Sequence, residues 1–183
     1  VKTPAILLAI GLALAACGSA TAPAAVNRAA APLAPFAGLP ALTGRVVDNA
    51  GLLTPAEEAR LTAQLTALEQ RTSDQLVIVT TPSLGGRTID QYGLALGNGW
   101  HIGERSNDNG VLLIVAPAER QVRIEVGYGL EAILTNARAG QIIHDVVLPH
   151  FRRSQWRGGI EAGSQAIIAT LVAHANEPRQ RRS

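Results

Sequence analysis

Residues 110–127 read GVLLIVAPAERQVRIEVG, and the fold follows from how that stretch divides. From Val111 to Val115 every side chain is apolar and most are β-branched, so the segment has no polar face. That is the pattern of a strand covered on both sides. The turn at 117–120 is too short for a crossover helix, so 121–126 must return antiparallel. The returning run alternates, with Val122, Ile124 and Val126 on one face and Arg123 and Glu125 on the other.

Working outward from this hairpin, Leu76, Val77, Ile78 and Val79 form a second buried run closed by Pro82, and Val46 and Val47 form a short strand before the turn Asp48, Asn49, Ala50 and Gly51. Helical signals lie between the strands. Thr54, Pro55 and Glu57 spell a capping box with proline in the first turn, and Leu61, Leu65 and Leu68 continue it at helical spacing. Thr88 with Gln91 opens a second helix whose inward face is Ile89, Tyr92, Leu96 and Trp100. Gly127, Tyr128 and Gly129 break the last strand. Beyond them, Ile142, Ile143, Val146 and Val147 mark a third helix, and Ile160, Ile167, Ile168 and Leu171 a fourth. The expected architecture is an α/β three-layer sandwich: a mixed, mostly parallel sheet with one antiparallel hairpin, flanked by helices in a Rossmann-like arrangement.

The segments outside this core have a different character. Lys2 precedes an apolar run over 5–14, and Leu14, Ala15, Ala16 and Cys17 follow in the order of a lipobox. Residues 1–17 therefore read as a lipoprotein signal with lipidation at Cys17. The run is shorter than the roughly 20 apolar residues that span a bilayer. Residues 18–41, rich in Ala and Pro with almost no charge, read as a tether, 42–175 as the folded domain and 176–183 as a basic flexible tail. These features predict a protein of the cell envelope, lipid-anchored on the extracytoplasmic side (the periplasmic face in a Gram-negative cell), with the membrane and an envelope protein as partners. Cys17 is the only cysteine, so the domain holds no disulfide. The chain carries a net charge of +2, yet 42–175 contains eleven Arg against thirteen Asp plus Glu, a net of −2. With a mildly acidic domain and an aromatic content of 3%, a nucleic-acid surface is not expected.

Several chemistries are missing. No Gly-x-Ser-x-Gly elbow is present, and Ser164 falls inside a helical pattern. There is no Walker A run, and Gly127, Tyr128 and Gly129 lack the third glycine and helix start of a dinucleotide fingerprint, so no nucleotide cofactor is expected. The histidines His101, His144, His150 and His174 form no i, i+4 pair, which disfavours zinc. His144 reads as a helix-surface residue and His150 as packing at a helix end.

What remains is a set of carboxylates at element boundaries: Asp48 after the first strand, Asp108 before the central one, Glu125 near the end of the fourth and Glu131 past the glycine turn. Ligands gather at strand ends in open α/β sheets, so these acids are candidates for one site, with Asp48, Asp108 and Glu125 the candidates for catalysis. The competing reading is structural: Asp48 and Asp108 bond backbone N–H groups of turns, and Glu125 pairs with an arginine.

Taken in order, the segments 47–53 (VDNAGLL), 82–86 (PSLGG), 108–113 (DNGVLL), 123–131 (RIEVGYGLE), 139–143 (AGQII) and 149–151 (PHF) resemble the successive motifs of the TPM domain, over about Arg45 to Leu171. That family is similar in fold while its members do different work: a plant member of the thylakoid lumen is an acid phosphatase, some bacterial members bind calcium, and an animal member assists a receptor. The resemblance implies an acidic site at Asp48, Asp108, Glu125 and Glu131, with Asn136 standing where relatives usually carry Asp after Leu-Thr. Oxygen ligands of this kind suit calcium or magnesium rather than zinc. Asn136 keeps an amide oxygen for coordination but removes a negative charge and cannot act as a base. The functions implied are a binding or assembly module with a divalent-cation site, a metal-assisted phosphatase acting on phosphate esters, or a structural spacer.

Overall fold

The computed structural model describes residues 38–175. The expected signal, most of the tether and the tail, including Cys17, lie outside them. The sheet has four strands in sequence order: β1 (Val46–Asp48), β2 (Gln75–Thr80), β3 (Gly110–Ala116) and β4 (Gln121–Val126). β1, β2 and β3 are parallel, and β4 returns antiparallel with Val111 opposite Val126 and Leu113 opposite Ile124. This is the mixed sheet that the 110–127 stretch implies.

Every residue of β3 from Val111 to Ala116 is sealed from solvent, which requires cover on both faces. Two apolar clusters supply it. On one face Leu76, Ile78, Val111, Leu113, Val115 and Ile124 meet α1 (Pro55–Thr72) through Leu61, Leu65 and Leu68, and meet α5 (Trp156–Ala175) through Ile160, Ile167 and Leu171. On the other, Val47, Val77, Val79, Leu112 and Ile114 meet Tyr92 and Leu96 of α2 (Ile89–Trp100). The layers are thus helices, sheet, helix. Among the described residues no helix is long and apolar enough to cross a membrane.

The expected third helix is one part of a longer helical run. It begins as α3 (Asn136–Gln141), widens to a π-helical stretch over Ile142–Val147 and closes as α4 (Leu148–Phe151). Pro149 supplies the reason. Proline lacks the N–H for an i→i−4 bond and its ring crowds the preceding turn, and a locally wider helix accommodates both.

Both helix starts that the sequence marks are capped as expected. The Thr54 hydroxyl accepts from the Glu57 amide at 3.3 Å while the Glu57 carboxylate accepts from the Thr54 amide at 2.7 Å. Thr88 and Gln91 repeat the exchange at the start of α2. The Thr54 hydrogen bonds hold the Glu57 carboxyl below its ordinary range. A carboxyl with a lowered folded-state pKa stabilises above its unfolded pKa, and that contribution fades as pH falls through the lowered value. Replacing Thr54→Ala should cost about 1 kcal/mol near neutral pH, read as a shift in the urea midpoint. Glu57→Gln should flatten the acid side of the wild-type stability profile near and below pH 4.5.

Candidate functional site

A cleft of about 240 Å³ opens where α2 passes the end of β4, at the amino-terminal end of β3. Its existence rests on glycines. Gly127 N–H donates to the Gly110 carbonyl at 2.8 Å and Gly129 N–H to the Asp108 carbonyl at 3.1 Å, drawing the turn after β4 against the loop before β3. A Cβ on Gly127 would lie 2.1 Å from the Asp108 carbonyl oxygen, and one on Gly129 only 1.8 Å from that of Asn107. Gly110 is pressed in the same way by the Ile102 carbonyl, 2.2 Å from where its Cβ would stand. Three backbone segments meet here with no room for side chains, and the cleft lies beside that junction.

Three of the sequence-selected acids line it: Asp108, Glu125 and Glu131. Asp108 sits in the left-handed region with φ 44°, which aspartate tolerates better than most residues. The side chains of Asp108 and Glu131 are exposed and make no hydrogen bond or ion pair among the described residues. Glu125 is engaged: Arg123 Nε donates to it at 2.5 Å, and Arg123 Nη1 reaches Asp90 at the start of α2. Burial acts to lower the guanidinium pKa, but Glu125 and Asp90 together raise it above its ordinary value. Arg123 therefore serves as an internal counter-ion. Gly93 lets α2 approach this pair, since its Cβ would lie 3.0 Å from the Glu125 carboxylate.

Asp48 and Asn136 are elsewhere. Asp48 is level with Thr80 and hence with Val115, five residues up the sheet from Gly110. At about 3.3 Å per residue that is some 17 Å along the strands, with two strand spacings to cross as well. Its carboxylate accepts from the amides of Leu52 at 3.1 Å and Leu53 at 2.8 Å and from the Thr80 hydroxyl, so it ties the turn after β1 to β2. Asn136 is the first residue of α3, exposed, and does not line the cleft. The rule that ligands gather at carboxyl ends of parallel strands favours the Asp48 end, whereas the cleft lies at the opposite end, made accessible by the reversal of β4.

The cleft also holds residues that the sequence reading passed over: Leu94, Gly97 and Asn98 of α2, and Ile102. A signal for them was present, since Gly93, Gly97 and Gly99 inside one helix cost stability and call for a packing reason. Leu94 is 58% exposed and Tyr128 82%, two of the three large hydrophobic side chains left in solvent among the described residues, and both stand at this cleft. Among the described residues no serine, threonine, cysteine or histidine lines it.

As a cation site the donor set is open. Asp108, Glu131 and the Asn98 amide offer hard oxygen ligands, but among the described residues no three of His, Cys, Asp and Glu converge at metal-ligand spacing. A closed cage is absent from this geometry; the residues suit at most a loosely held hard cation that keeps much of its water.

Comparison with known proteins agrees with this architecture. The model of the TPM domain family matches residues 46–170. The solution NMR structure of the N-terminal domain of a protein from P. gingivalis is 35% identical, the match covering 73% of this chain and 85% of that one, with a TM-score of 0.68. The N-terminal domain of a Corynebacterium glutamicum protein is 15% identical over 78% of this chain and 89% of that one, with a TM-score of 0.58. The BA42 protein of the psychrophilic bacterium Bizionia argentinensis is 16% identical over 67% and 83%, again with a TM-score of 0.58. At their identities the last two share the fold alone. No curated protein matches the chain.

Two substitutions separate the ends of the sheet. Asp48→Ala strands backbone amides at the β1 turn and should cost about 1–3 kcal/mol in denaturant titration, leaving the amide resonances of 107–110 and 127–131 in place. Gly129→Ala should destabilise by a similar amount, about 1–3 kcal/mol, through overpacking, and should instead displace the resonances of 107–110.

Proposed function

Because the chain belongs to the TPM domain family, we propose that it is a binding or assembly module of the cell envelope, held to the membrane through lipid on Cys17, whose cleft between α2 and the end of β4 engages a protein partner. The observation that carries this reading is the composition of the cleft. The exposed side chains of Leu94 and Tyr128 line it together with the carboxylates of Asp108 and Glu131. Exposed aromatic and aliphatic side chains around a few charged groups are the anchors that protein interfaces use, and tyrosine is enriched among those that matter most. Its lining lacks serine, threonine, cysteine and histidine among the described residues, and of its carboxylates Glu125 is committed to Arg123.

A divalent cation fits this reading as an accessory. Calcium or magnesium bound loosely by Asp108 and Glu131 would neutralise the pair and stiffen the two loops that carry them, and extracytoplasmic modules with open oxygen sites bind calcium with dissociation constants of about 10⁻⁴–10⁻³ M. The tether strengthens the argument. A module held at a membrane meets membrane partners at high effective concentration, so modest affinity suffices and turnover is not required.

Calcium titration of the protein lacking residues 1–17, followed by amide chemical shifts, should move 107–110 and 127–131 in the millimolar range and leave Asp48, Leu52 and Leu53 unmoved. Assayed with a chromogenic phosphate monoester across pH, with calcium, magnesium or manganese added, the same protein should show no turnover. Hydrolysis that chelator removes and Asp108→Ala abolishes would replace the binding reading with the metal-assisted phosphatase.

A further inference from the structure

Among the described residues β4 forms one edge of the sheet and β1 the other. The two edges are unlike. β1 is a ladder of three residues, whereas β4 has six and runs against β3 in unbroken register, with no bulge and no proline. Long, regular edges without such interruptions are the ones that recruit another strand. Which backbone groups β4 offers is fixed by parity. Gly127 N–H donates to the Gly110 carbonyl at 2.8 Å, so that pair faces inward. Antiparallel partners alternate between pairs that exchange hydrogen bonds and pairs that do not, so Glu125, Arg123 and Gln121 also turn their backbone groups toward β3. Val122, Ile124 and Val126 turn theirs away from it. Among the described residues the outward N–H and C=O groups of these three have no hydrogen-bond partner.

We propose that this edge pairs with β4 of a second copy of the chain, antiparallel about a two-fold axis at Ile124, so that one sheet runs through both molecules. Such an interface is isologous, the same strand serving both sides. Only residues whose backbone groups point outward can form the new ladder, and a dyad at Ile124 uses all of them. Val122 meets the partner's Val126, Ile124 meets the partner's Ile124, and Val126 meets the partner's Val122. The residues between them then fall opposite one another as Arg123 against the partner's Glu125 and Glu125 against the partner's Arg123. These are the non-hydrogen-bonded positions of the new ladder, where side chains stand closest across strands and opposite charges stabilise the pairing.

Charge also rejects the neighbouring registers. A dyad moved to Arg123 keeps the outward parity but sets arginine against arginine, and one moved to Glu125 sets glutamate against glutamate. The one register in which the charges complement each other is thus the one that satisfies every outward group of β4. Arg123 already binds Glu125 and Asp90 within its own chain. A guanidinium carries five donors and a carboxylate several acceptor positions, so the cross-strand contacts add to that cluster without dismantling it. Pairing of this kind stands or falls without regard to what the cleft binds.

Sedimentation equilibrium of the full chain in density-matched detergent, over a wide range of protein concentration, should show monomer passing to dimer. Arg123→Glu and Glu125→Arg should each abolish the dimer, because each sets like charges opposite. Mixing the two variants, or placing both substitutions in one chain, should restore it, since opposite charges then face one another again. Val122→Pro removes an outward N–H that β3 does not use, at an edge position where proline is tolerated, and should weaken the dimer while the amide spectrum reports an intact fold. In the wild-type protein the amides of Val122, Ile124 and Val126 should gain protection from hydrogen exchange as concentration rises, with those of Arg123 and Glu125 protected throughout. A chain that stays monomeric, a dimer indifferent to the charge reversals and to Val122→Pro, or folded charge-reversed variants that fail to recombine overturns the proposal. Protection of the outward amides that is independent of concentration assigns the edge to an occupant other than a second copy, and overturns it equally.

Discussion

Burial of β3 on both faces is the constraint from which the rest of the architecture follows. A strand with no polar face cannot lie at a solvated surface, so helices must cover it twice, and the chain does so with α1 and α5 on one side and α2 on the other. β1 and β2 join the sheet parallel because a helix follows each of them, and β4 joins antiparallel because only a tight turn follows β3. β4 is then a strand with two unlike faces. Ile124 faces the large cluster, and Arg123 and Glu125 face α2, which must approach over glycine to pass them.

The cleft is a by-product of that asymmetry. Because β4 runs antiparallel to β3, its carboxyl end arrives where β3 begins, and the chain must turn there beside the loop that leads into β3. Only glycine allows the backbones to come so close, and so the junction beside the cleft is main chain, while α2 lines the cleft with Leu94 and Asn98. Fold and site therefore depend on the same reversal of direction at 117–120.

How much of this was legible follows from which signals are local. The strands, the two capping boxes and the inward leucines of α1 are periodic or short-range patterns, and the structure carries them where the sequence places them. The π-helical stretch was not legible, because widening at Pro149 is one of several ways to accommodate proline in a helix. The acids show the same limit. Each stands at an element boundary, but their grouping depends on strand direction and register, which separate Asp48 from Asp108 while bringing Glu125 and Glu131 to the same cleft. The α2 wall was the least visible part. Leu94 and Asn98 look like ordinary surface residues until the glycines between and beside them are read as a demand for close approach.

The amino-terminal approach to the domain bears on how such a cleft would be presented. Within the described residues, the Trp100 indole donates to the Pro40 carbonyl at 3.0 Å and Leu39 packs near Trp100 on the α2 side, so the chain enters the domain pinned to the end of α2. Asn98 belongs both to the cleft and to the pocket beneath that entry. The entry point and the cleft thus share one end of the sheet, and the Asp48 turn occupies the other. The chain therefore enters the domain beside the cleft, on the side where Trp100 closes α2, and not beside the β1 turn that Asp48 holds.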